Sequence, residues 1–225
     1  MRLKKIKLSS LISKEWLSHF GKTLKYSLYV IFHPFDGFWD LTHEKRGSVG
    51  AANCLVFLYL LLNILRLQFT SFLVRNVNLS RINMWVEIAS VIAPILLWCV
   101  SNWGFTTLMD GKGRLKEVYM GTAYALTPMI ILGYPNMILS NFLTIEEITF
   151  YSFFDTLGLI WFVALVLAAM MMIHDYSLAK TVFSSILTLV GMAVIVFILV
   201  VFFSLISDGI AYFVSLYQEI QFRFY

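Results

Sequence analysis

Charged residues divide this chain into five long stretches that carry none. Cutting at every Asp, Glu, Lys and Arg leaves residues 47–65, 88–109, 118–145, 156–174 and 181–207. A helix rises ~1.5 Å per residue, so about 20 residues cross a ~30 Å hydrocarbon core. Each run reaches or approaches that length, which predicts five membrane-spanning helices. Lipid leaves backbone amides without partners, so only helices or closed barrels can span it. The runs lack the ~10-residue alternating segments of a barrel. The expected fold class is therefore all-α, a polytopic membrane protein.

Amphipathic patterns flank the five runs. Ile12, Trp16, Phe20, Leu24 and Leu28 recur every four residues, with Lys14, Lys22 and Lys25 largely off the stripe. This is a basic amphipathic helix, lying either on the membrane surface or under the span bundle. His33-Pro34 should end it, because proline disfavours helix at the residue before it. Ile210, Phe213, Tyr217 and Ile220 form a second stripe in the tail. The chain divides accordingly into an N-terminal segment, 1–46, a five-span domain, 47–207, and an amphipathic tail, 208–225. The basic start is not followed by an unbroken apolar stretch or a small-residue cleavage site, so it is expected to remain in the mature protein.

Composition supports the membrane reading. Of 225 residues 60% are hydrophobic and only 13% charged, and mean hydropathy is +0.80. A soluble domain carries about 25% charged residues. Two cysteines, Cys54 and Cys99, sit in apolar runs and form no disulfide framework. The net charge is +4, and its distribution is more informative than its size. Nine Lys and Arg precede the first run, three follow the second and one follows the fourth; the other segments hold four. Thirteen against four on alternate sides places the N-terminus in the cytoplasm and the C-terminus outside the cell membrane. Basic residues used this way anchor the chain to the bilayer, and no nucleic-acid partner is expected.

Candidate chemistry is sparse. Glu87 and Asp155 lie just inside the outer ends of their runs. Intramembrane carboxylates are costly and mark either an ion site or a structural pair. Arg66, Arg75 and Arg81 are the available partners, and pairing is the favoured reading. His33, His43 and His174 lie near the inner face with Asp36, Asp40 and Asp175, but their spacing fits no metal motif. Asp110-Gly-Lys-Gly lacks the P-loop spacing and reads as a tight turn. No nucleophile-base pattern is visible, so neither catalysis nor a cofactor is expected. Asn78-Leu-Ser80 matches a glycosylation acceptor. Gly121 and Ala125, four apart, permit close helix approach, and Pro128 should kink the third span.

Two of these segments carry a family resemblance. Asp110-Gly111-Lys112-Gly113-Arg-Leu-Lys-Glu-Val, followed by Thr122-Ala-Tyr124-Ala-Leu-Thr-Pro128, resembles the central signature of the Yip family, the Ypt/Rab-interacting membrane domain. The entrance His33-Pro-Phe-Asp-Gly-Phe-Trp39 and the exit His174-Asp175-Tyr-Ser-Leu-Ala-Lys180 are similar to it as well. The likeness runs from about residue 33 to 207. It implies five spans with a cytoplasmic N-terminus and makes Gly111, Gly113, Tyr124, Pro128, His174 and Asp175 candidate structural or partner-binding residues. Eukaryotic members bind prenylated Rab-type GTPases in vesicle traffic, and their Asp-Leu-Tyr-Gly-Pro-type motif is not in this sequence. The compact form resembles the bacterial branch, often encoded beside carbohydrate ABC transporters. The expected function is a non-enzymatic membrane adaptor whose partners are the bilayer and other integral membrane subunits, including ABC transporter permeases. The alternatives are a small ion or solute transporter using Glu87 and Asp155, and a Rab-binding traffic factor.

Overall fold

A computed structural model of the chain describes residues 14–74 and 82–224. Ile12, Arg75, Arg81 and the Asn78-Leu-Ser80 acceptor lie outside the described residues. Eight α-helices follow in order: α1 (Lys14–Phe32), α2 (Pro34–His43), α3 (Val49–Phe69), α4 (Met84–Leu108), α5 (Leu115–Ala125), α6 (Thr127–Leu139), α7 (Ile148–His174) and α8 (Leu178–Phe224). A 3-10 turn, Ile145–Glu147, leads into α7. The described residues contain no strand.

Four of these helices, α3, α4, α7 and α8, are each long and apolar enough to cross a membrane. The third charge-free run differs from the continuous helix expected. It is two helices in tandem, α5 of 11 residues and α6 of 13. The break has a chemical cause at Thr127-Pro128. Proline has no N–H, so the Tyr124 carbonyl one turn back loses its helical partner. The Thr127 hydroxyl takes that place, donating to Tyr124 O at 2.6 Å. The residue before the proline thus caps the helix that the proline ends.

The N-terminal stripe packs into the bundle. Phe20 and Leu24 contact the core, and Thr23, Ser27, Val30 and Ile31 are buried. Leu28, assigned to the stripe on its spacing of four, is 47% exposed. The buried face instead follows the 3.6-residue period, which drifts off a strict spacing of four. α1 ends at Phe32, and Pro34 occupies the first turn of α2, where its missing N–H is no loss. The two helices form a hairpin. A Cβ on Gly37 would lie 3.0 Å from Val30 Cγ2. The Tyr26 hydroxyl bonds Gly37 O at 3.1 Å and lies 3.3 Å from Asp40 Oδ2. Burial and that carboxylate push the Tyr26 phenol well above its ordinary range. α2 rests on α7, and the Phe32 ring meets Trp161 edge-on at 6.2 Å.

The tail is not a separate element. α8 runs unbroken for 47 residues, through Asp208-Gly209. One glycine in a helix costs only about 1 kcal/mol against alanine, and no proline stands beside it to stop the helix. α8 packs on α4 and α7 through Thr181, Ser184, Ser185, Thr188 and Gly191. From residue 196 to 223 every side chain of the helix is exposed, including Ile210, Phe213, Tyr217 and Ile220.

One apolar core joins the helices, with Val30, Phe38, Leu41, Ala51, Ala52, Val118, Ala123, Ala125, Ala169 and Met170 almost wholly buried. Small residues let α5 lie close on α7: a Cβ on Gly121 would meet Ile173 Cδ1 at 2.6 Å and Ala169 Cβ at 3.3 Å. The close approach expected of the Gly121–Ala125 pair is therefore made within the chain's own bundle.

Candidate functional site

The two segments most distinctive in sequence meet at one end of the bundle. α4 closes at Asp110, which adopts φ 58°, and Gly111 N–H reaches back to Thr106 O at 2.7 Å. α7 closes in the same way at Asp175, φ 54°, with Tyr176 N–H to Met171 O at 3.0 Å. Both helices thus end in a left-handed residue followed by a bond from six to one, the closure usually made with glycine. Aspartate is among the few other residues that tolerate this conformation. No glycine in the described residues has positive φ.

Gly111 and Gly113 serve a different purpose, close approach. A Cβ on Gly111 would fall 2.8 Å from each of His174 Nδ1, Thr106 O and the Tyr176 hydroxyl. A Cβ on Gly113 would collide with Ile173 and lie 2.8 Å from His174 Nδ1. The loop between α4 and α5 is pressed onto the imidazole, and His174 is 1% exposed.

Its hydrogen bonds fix the state of that imidazole. Gly113 N–H donates to His174 Nδ1 at 3.2 Å. A nitrogen that accepts carries no proton, so the proton sits on Nε2, which faces Asn102 Oδ1 at 3.1 Å. Asn102 Nδ2 then donates to Thr188 Oγ1 at 3.1 Å, and Thr188 Oγ1 donates to Ser184 O at 2.8 Å. A one-way chain of donors runs from the loop through α7 and α4 into α8. Ser101 Oγ adds a bond to Thr188 O at 2.8 Å. Each member satisfies the next, which keeps a buried polar network from being a liability.

The two loops form a clasp around the imidazole, and its solvent-exposed side is ionic. Lys112 Nζ lies 2.7 Å from Asp175 Oδ2, with Lys112 largely exposed, so the pair adds little stability. Lys180 Nζ donates to Met109 O at 2.8 Å and stands 4.0 Å from the centre of the Tyr176 ring. The Tyr176 hydroxyl lies 2.9 Å from Met109 O and 3.3 Å from Thr106 O. Burial, with the Asp110 charge, raises its pKa. The two loops are held together by backbone carbonyls and side chains from both.

Tyr124 and Pro128 belong to the core rather than to the clasp. Tyr124 is fully buried, donates to Thr23 O at 3.1 Å and accepts from Ser48 N–H at 3.4 Å, tying α5 to α1 and to the start of α3. Asp155 lies at the opposite end of α7, paired with Arg66 Nη2 at 2.7 Å. Arg66 is mostly buried and crosses above Gly133. Glu87 stands in the first turn of α4, where a carboxylate favours the helix dipole. Glu87 and Asp155 share no partner among the described contacts. His33 stacks on Tyr29 at 4.6 Å and His43 on Trp39 at 3.7 Å. Among the described residues no three His, Cys, Asp or Glu gather as a metal site.

The residues that complete the clasp, Asn102 and Thr188 above all, left a trace in sequence. Thr181, Ser184 and Thr188 recur at helical spacing in an otherwise apolar run, opposite Ser101, Asn102 and Thr106.

No curated protein and no solved structure matches this chain. The Yip1 domain family model matches residues 28–201, from the end of α1 to well into α8, and so takes in the whole clasp. The chain belongs to the Yip1 domain family.

Proposed function

We propose that this protein is a non-enzymatic membrane adaptor that assembles side by side with other integral membrane subunits. The carrying observation is α8, whose 47 residues extend roughly 70 Å while, among the described residues, only its first four turns are packed against the chain. An unpartnered apolar helix of that length offers a neighbour a continuous surface for van der Waals packing, the main source of helix association in lipid. The polar side chains of the clasp are already bonded to one another, which favours holding helices together over chemistry. Carbohydrate ABC transporter permeases are the partner class that the bacterial branch of the family suggests. The N-terminus is assigned to the cytoplasm of the cell membrane on the distribution of Lys and Arg. The Arg66–Asp155 pair weighs against a free cation site at Asp155.

Mild-detergent purification from the native host, after cross-linking in intact membranes, tests this reading. A transporter or other membrane subunit should co-purify, and removing 208–225 should lower its recovery without lowering the amount of inserted protein. Recovery of the protein alone sinks the adaptor reading.

A further inference from the structure

A cavity of about 630 Å³ opens among α3, α4, the α5–α6 junction, α7 and α8. Its wall includes Pro94, Trp98, Leu126, Phe162, Val163 and Ser185, and not one charged residue. Two polar atoms of this wall are buried without a partner: the indole Nε1 of Trp98 and the hydroxyl of Ser185, a residue 8% exposed. Other polar side chains of the wall already donate at home. Asn63 Nδ2 bonds Tyr59 O, Ser90 Oγ bonds Glu87 O and Thr122 Oγ1 bonds Val118 O. The two orphans are unusual, because a buried donor without an acceptor has given up its bond to water with nothing in return.

We propose that this cavity binds a neutral lipid, with an aliphatic chain against the apolar wall and uncharged oxygens meeting the Trp98 Nε1 donor and the Ser185 hydroxyl. Three arguments select this occupant. The volume falls in the ~300–1,000 Å³ range of small-molecule sites. The cleft opens past the exposed side chains Leu159, Val163, Ile186 and Leu189, which gives a chain from the surrounding bilayer a way in. Most of the wall is hydrocarbon, which suits an aliphatic chain better than a cluster of waters that each need two to four polar partners. The absence of charge in the wall excludes an ionised head group at this depth, where it would stand without a counter-ion. An uncharged ester or hydroxyl oxygen meets the indole N–H. The site is independent of the adaptor reading, since it is walled by this chain's own helices and does not involve α8 beyond Met192.

The test uses the full chain in phosphatidylcholine nanodiscs with two photoreactive probes of equal chain length, a diazirine monoacylglycerol and a diazirine hydrocarbon. The monoacylglycerol should label 159–167 and 182–192 saturably. Trp98→Phe keeps an aromatic ring but removes the donor; it should weaken monoacylglycerol labelling about fivefold and leave the hydrocarbon unchanged. Ser185→Ala is the second polar variant and should weaken the same probe alone. Val163→Trp fills the space and should reduce both probes. Labelling that does not saturate and falls equally on the exposed stretch 194–206 overturns the proposal. So does equal loss, or no loss, of the two probes in both polar variants.

Discussion

Gly113 N–H donates to His174 Nδ1 at 3.2 Å, and that single bond decides which way the network behind it points. With Nδ1 accepting, Nε2 is left to donate to Asn102, and Asn102 in turn to Thr188 on the last helix. A backbone amide in a loop therefore sets the side-chain order across three helices. His174→Phe fills similar space but leaves Gly113 N–H and Asn102 Oδ1 without partners. It is expected to lower stability by about 2 kcal/mol or more, read as a fall in melting temperature in detergent. A melt unchanged from the parent would show that the network is not holding the helices.

The glycines of the same loop give a contrast in sign. Gly113→Ala places a methyl against Ile173 and His174, and overpacking of this kind costs about 1–3 kcal/mol. Gly21, in the exposed face of α1, has nothing within 4 Å of its Cβ position. Gly21→Ala should be neutral or stabilise by up to about 1 kcal/mol. Thermal melts of the two variants side by side check both the direction and the difference.

Thr127 and Pro128 should be coupled. Thr127→Val removes the hydroxyl that occupies the Tyr124 carbonyl, for a loss of about 1 kcal/mol. In a Pro128→Ala background the new backbone N–H can bond that carbonyl itself, so the same change should matter less. A double-mutant cycle on thermal stability measures the difference. Strict additivity would place the carbonyl's partner elsewhere.

Asp155→Asn leaves the mostly buried Arg66 without an anion. Because Asp155 is 45% exposed, the loss should be about 1 kcal/mol, between a surface pair and a buried one. Reconstituted protein should show no cation flux in either form. A flux that disappears in Asp155→Asn would make the protein a transporter.

Reporter fusions after Lys116 and after Tyr225 should report opposite compartments, cytoplasm and exterior. The same side for both would refute five crossings with the charge-derived orientation.

Much of this architecture was legible in the sequence because lipid imposes simple rules. Charge-free runs of span length correspond to α3 and α4 within four residues, while α7 starts eight residues before its run and α8 ends 17 residues after its own. The exceptions have local causes that hydropathy does not register. The third run hides a helix break, since Thr127 and Pro128 barely change its apolar average. Asp208 and Gly209 look like a boundary by residue type, yet the helix absorbs them. At the clasp, the Asp-Gly-Lys-Gly turn was visible, but the roles within it were not. Glycine is the default for a left-handed residue, while here Asp110 takes that conformation and the glycines make room for His174. That assignment depends on a residue 61 positions away, which no local pattern contains.

The geometry of α8 has a mechanical consequence. It is held at its start by Thr181, Ser184, Thr188 and Gly191, and the remaining length is a lever with no second support among the described residues. Over roughly 50 Å of unsupported helix, a tilt of about 5° at the held end displaces the tip by about 4 Å. The fulcrum is the Asn102–Thr188 contact, one bond away from His174. A small shift of the loops at one end of the bundle is thereby magnified at the far tip, beyond the reach of any side chain that caused it.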